Sequence, residues 1–101
     1  MVYSLDAAPE YDNKFDVIFD DMIENAPKRA KQFLNEYENM LGKLKIFPES
    51  GTPLNDDRLK RLSYRYKLVG DFIIYYTFYN NNIMLMQIFS QRENHKGYYL
   101  V

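Results

Sequence analysis

The closing stretch IFSQRENHKGYYLV, residues 88–101, gathers five chemically able side chains into positions 92–99. They are a guanidinium (Arg92), the one imidazole of the chain (His95), an ammonium (Lys96) and two phenols (Tyr98 and Tyr99). These groups hold phosphate or move protons. Arginine matches a phosphate with a planar two-pronged fork and keeps its charge at every relevant pH. Histidine ionises near neutrality, which on chemical grounds makes His95 the best general base of the set. Plainer alternatives exist: Arg92 as an ion-pair partner of the acidic first helical segment, His95 as an exposed turn residue, and the tyrosines as anchors of the tail.

A second concentration of cations lies upstream. Arg58, Lys60, Arg61, Arg65 and Lys67 alternate with Leu59, Leu62, Tyr64 and Tyr66, which predicts a strand with one basic, aromatic face, or an edge strand guarded by charge. The net charge of −1 hides this polarity. Residues 1–57 carry six Lys/Arg against twelve Asp/Glu, whereas residues 58–101 carry seven against two, so −6 is followed by +5. A chain so divided can present a basic face to an anionic partner, or its halves can neutralise each other across the fold. Asp12, Asp16, Asp20 and Glu24 recur at i+4 along the first helical segment. Strung on one ridge, these carboxylates lack the convergence a metal needs, so they read as a solvated face, and Asp56 and Asp57 read as loop. No cofactor or metal site is expected.

At 101 residues, 47% of them apolar, the chain predicts a single domain over 1–101 with one modest core. With no cysteine, a disulfide framework and a thiolate zinc site are both excluded. MVYSLDAAPEYD has neither the basic start nor the apolar run of a secretion signal, and no stretch has the length of a membrane span. The expected setting is therefore the cytoplasm, without a membrane partner.

The elements that must position these groups follow from periodicity. Residues 2–5 are rich in strand formers, and Pro9 suits the first turn of a helix. Phe15, Ile18, Phe19, Met22 and Ile23 make an apolar stripe of helical period. Asn25 and Pro27 break it, and Ala30, Phe33, Leu34, Tyr37, Leu41 and Leu44 carry a second helix to about residue 45. The short connection predicts an antiparallel hairpin. FPESGTPL at 47–54 ends the helical pattern, after which the period becomes two. Strands are expected over 59–68, whole or interrupted, and over 72–79 and 83–90, the last two joined by a tight loop at Asn80, Asn81 and Asn82. The fold class is thus α+β: an N-terminal strand, an antiparallel helical hairpin, then a three-stranded antiparallel meander with the helices on one face of the sheet.

In order and spacing, the helical hairpin, IFPESGTPL, the basic RLSYRYKL, GDFIIYYTF and a last strand closing on QREN resemble toxins of the RelE/ParE family, the toxic halves of bacterial type II toxin–antitoxin pairs. The resemblance spans nearly the whole chain and implies a cognate antitoxin as partner. It implies one of two activities: a RelE-like, ribosome-dependent endonuclease that cuts mRNA and stops translation, which is the activity expected, or a ParE-like inhibitor of DNA gyrase. A non-toxic interaction module on the same fold is a further alternative. The cleaving branch's pattern places Lys67 at a basic strand position, Arg92 at the arginine after the last strand and Tyr98 at the tyrosine beyond it. Metal-free RNA cleavage would use Arg92 and Lys67 to hold the phosphate, and Tyr98 or His95 as base. Arg58, Lys60, Arg61, Arg65 and Lys96 would supply RNA contacts. One position departs from the pattern: FIIYY offers Ile73 where the cleaving branch has an arginine.

Overall fold

The computed structural model describes residues 2–92. In chain order these form strand β1 (Ser4–Ala7), helix α1 (Pro9–Asn25), helix α2 (Pro27–Ile46), a 3-10 turn at Pro48–Ser50 and the two-residue strand β2 (Thr52–Pro53). The five-residue helix α3 (Asp57–Arg61) and strands β3 (Arg65–Val69), β4 (Phe72–Tyr79) and β5 (Asn82–Ser90) complete the order.

Both long helices begin on a proline, whose fixed φ suits the first turn and whose missing N–H is not needed there. Pro27 also forces Ala26 out of the helical region (φ −153°), so α1 stops and α2 starts across a single residue. Glu10 and Asp12 sit at the positive end of α1, and Lys43 and Lys45 at the negative end of α2. Contacts run in reverse order along the two helices, Tyr11 meeting Tyr37 and Phe19 meeting Phe33, as an antiparallel hairpin requires. Phe15 and Tyr37 rings lie 4.7 Å apart in the seam, and the Tyr11 and Tyr37 hydroxyls are 2.7 Å apart in the core. The expected stripe of α1 ends one residue early, because Ile23 is half exposed.

The sheet has five strands in the order β1-β5-β4-β3-β2. The expected meander is its centre; β1 adds a parallel edge beside β5 and β2 a short antiparallel edge beside β3. Asn80 and Asn81 both have positive φ (51° and 63°), the requirement of the two-residue turn that suits strand twist, while Asn82 already pairs with Tyr79 inside the sheet. Tyr75 pairs with Gln87 but Tyr76 with Leu85, leaving Met86 as an extra residue. This bulge keeps Ile83 and Leu85, before it, and Ile88, after it, on the helix side. The main core, Leu44, Ile74, Tyr76, Ile83 and Ile88 among its members, lies between the hairpin and that face.

The strand expected over 59–68 forms only in its second half, and its first half is helical. The Asp56 carboxylate accepts hydrogen bonds from the N–H groups of Arg58 (2.9 Å) and Leu59 (3.2 Å), a helix cap that starts α3. Ser63, at φ +60°, then turns the chain so that β3 starts only at Arg65. The segment covers the other face of the sheet, where Leu54, Leu59, Ile73, Tyr75 and Phe89 form a second apolar cluster flanked by Tyr64 and Tyr66. No helix among the described residues is long and apolar enough to cross a membrane.

Candidate functional site

The basic segment divides between the two faces of the sheet. On β3, Arg65 pairs with Tyr76 and Lys67 with Ile74, and both partners face the helices; directly paired residues share a face, so Arg65 and Lys67 lie on the helix side. Tyr66, opposite Tyr75, and Leu68, opposite Ile73, point the other way. Arg58, Lys60 and Arg61 belong to α3, which covers that second face. The alternation of cations and aromatics therefore yields no single basic face.

Arg65 has a structural task. Its Nη1 donates to the carbonyls of Glu49 (3.1 Å) and Gly51 (2.9 Å), fastening the Pro48–Ser50 turn to the sheet edge. Tyr76 fastens the same turn from inside: its buried hydroxyl donates to the Pro48 carbonyl (2.5 Å) and accepts from the Gly51 N–H (2.9 Å). Gly51 is required there, since a Cβ would collide with that hydroxyl and with the Tyr66 carbonyl. Burial, only partly offset by the Gly51 hydrogen bond and nearby Arg65, pushes the Tyr76 pKa up. Tyr11 and Tyr37 are also raised, by burial first. Displaced pKa values often mark chemistry, but these three belong to neutral phenols bonded within the core.

Arg92 is exposed, its backbone N–H bonded to Ser90 Oγ (3.2 Å) just past the end of β5. Gln91 ties that end to the β3–β4 turn, through its N–H to the Asp71 carbonyl (2.8 Å) and its Nε2 to the Gly70 carbonyl (3.1 Å). Arg61, by contrast, lines a cleft with Tyr79 at the far end of β4. The seven residue steps of β4 span roughly 23 Å, so Arg92 and the end of α3 occupy opposite ends of the sheet. His95, Lys96 and Tyr98 lie outside the described residues. Ile73 is 9% exposed and packs in the second cluster, on the face opposite Lys67. Among the described residues no group of three or more His, Asp or Glu side chains could hold a metal ion.

Sequence reasoning missed the second cluster and the Tyr76 fastening. A signal for the first was present: in FIIYY consecutive residues are apolar, which in an antiparallel strand means that both faces are covered. Nothing local marked Tyr76 as the partner of a turn 25 residues before it.

The profile of one family, described as "ParE toxin of type II toxin-antitoxin system, parDE", matches residues 6–95. The chain belongs to the ParE toxin family. The match takes in both helices, both apolar clusters and the whole sheet apart from two residues of β1. The same fold occurs in a solved structure described as "Chromosomal ParDE TA system from P. aeruginosa", with a TM-score of 0.67 at 15% identity over 88% of this chain and 96% of that one. Among curated proteins no sequence matches. As a type II toxin, this ParE-family chain has an antitoxin for a partner.

Proposed function

We propose that this ParE-family toxin acts as an inhibitor of DNA gyrase rather than as an mRNA endonuclease, silenced in the cytoplasm by its antitoxin. The observation that carries this reading is the environment of residue 73. Where the cleaving branch of the resemblance has an arginine, Ile73 is buried among Leu54, Leu59, Tyr75 and Phe89. That position faces away from Lys67, so the two would not share one scissile phosphate even if both were charged. A metal-free nuclease depends on converging cations to carry charge in the transition state, and the described residues do not bring Lys67, Arg92 and the cations of α3 together. The family description favours the same side. On this reading the chain performs no covalent step of its own: it binds gyrase stoichiometrically.

The test is induction in a bacterial host, followed by a gyrase supercoiling assay with purified protein. Filamentation and DNA damage, with loss of supercoiling activity in proportion to added toxin, are the expected results. Rapid arrest of translation with messengers cut on the ribosome would overturn the reading and restore the nuclease built on Arg92 and Tyr98 or His95. Growth without any defect would point to the non-toxic module.

A further inference from the structure

Five large apolar side chains stand exposed around one end of the molecule, where β1 starts and β4 finishes: Val2, Ile46, Phe47 (65% exposed), Leu62 and Tyr79 (78%). Contacts tie their segments together. The Tyr3 N–H bonds the Lys45 carbonyl (2.8 Å), joining the start of β1 to the end of α2. The Tyr3 ring meets Phe78 edge-on at 6.3 Å, and Phe78, Tyr79, Leu62 and Arg61 line one cleft of about 310 Å³. Thr77 Oγ1 donates to the Leu62 carbonyl (2.5 Å) and holds that cleft in shape. An apolar strip with a formed cleft at one end is what a partner's side chains require.

The charges around the strip identify the occupant. Lys43 and Lys45 flank it in the last turn of α2 and Arg61 in α3, all exposed, against the exposed carboxylate of Glu49 two residues after Phe47. A second copy docking by a two-fold axis would set these cations against themselves, which like-charge repulsion opposes. We infer that this strip is a docking site for an acidic, amphipathic segment of the antitoxin, with one apolar anchor beside Phe47 and another in the Leu62–Tyr79 cleft. The inference rests on the toxin–antitoxin reading and adds where the partner sits: at the end of the sheet that carries Arg61, away from Arg92.

The experiment measures the affinity of the full chain for its antitoxin protein by calorimetry at two ionic strengths. Phe47→Ser combined with Leu62→Ser should weaken binding about 30-fold, the scale of losing a central apolar anchor. Lys45→Glu combined with Arg61→Glu should weaken it roughly tenfold and flatten its salt dependence. Val17→Ser removes an equally exposed apolar side chain from α1, and Lys28→Glu reverses a charge at the far end of α2, roughly 30 Å away, and neither should change affinity. Circular dichroism confirms folding, which is expected because every altered side chain is exposed. Full affinity in both double variants would overturn the docking site while leaving the toxin–antitoxin pairing intact. Loss of a toxin dimer in the Phe47/Leu62 variant, with antitoxin affinity unchanged, would assign the strip to a second copy and overturn it too. No binding of antitoxin by the unaltered chain would remove the pairing itself, and this inference with it.

Discussion

The two faces of the sheet are closed by very different means. On one, helices of 17 and 20 residues, Leu44 among their side chains, cover Ile74, Tyr76, Ile83 and Ile88, and the helices hold each other through a seam of tilted rings. On the other, Ile73, Tyr75 and Phe89 are covered by Leu54 and by Leu59, the latter on a helix of five residues. A helix that short does not sustain itself, so it depends on the Asp56 cap and on the burial of Leu59. The same strand, β4, is thus a fixed core element toward the hairpin and the floor of a thinner, more easily opened layer toward α3. The exposed cations of α3 ride on that thinner layer and are therefore less firmly held than the residues on the hairpin side.

Truncation on the two faces should separate them most strongly. Leu44→Ala, in the helix-side core, is expected to cost about 3–4 kcal/mol, whereas Leu59→Ala, in a layer able to collapse, should cost about 2 kcal/mol. Chemical denaturation of both variants checks this, and equal losses would erase the distinction. Tyr76→Phe comes next. It strands the Gly51 N–H and the Pro48 carbonyl without changing shape, for a loss of about 1–3 kcal/mol. Because Tyr76 belongs to the firm face, the loss should register as global destabilisation in the same denaturation experiment.

Asp56→Ala sharpens the contrast at lower cost. Removing the cap should cost about 1 kcal/mol and speed amide exchange at Arg58 and Leu59, while exchange in β4 stays slow. If β4 amides accelerated equally, the two layers would open as one unit. The smallest effect belongs to Arg29, whose guanidinium pairs with the Asp71 carboxylate to link α2 with the β3–β4 turn. Both side chains are more than half exposed, so Arg29→Ala should shift stability by no more than about 0.5 kcal/mol. A larger loss would mean that the firm face relies on its rim as well as on its core.

What the sequence determined by itself is what short-range physics encodes. Pro9 and Pro27 set the helix starts, the threes and fours of Phe15 to Met22 and of Ala30 to Leu44 set the seam, and the asparagines set the β4–β5 turn. The order of these pieces was enough to bring the family into view. The tertiary structure decided the rest. Asp56 outweighed the alternating pattern of 58–67, because a carboxylate that satisfies two free N–H groups starts a helix that pattern alone does not forecast. The bulge at Met86 chose which of the last apolar residues face the hairpin, a one-residue shift invisible to periodicity. Strand pairing put Lys67 and Ile73 on opposite faces, and the length of β4 put Arg92 and Arg61 at opposite ends. Residue types name what chemistry is available; which of them meet is set by register and by which face each strand turns outward, and those are fixed only when distant segments pair.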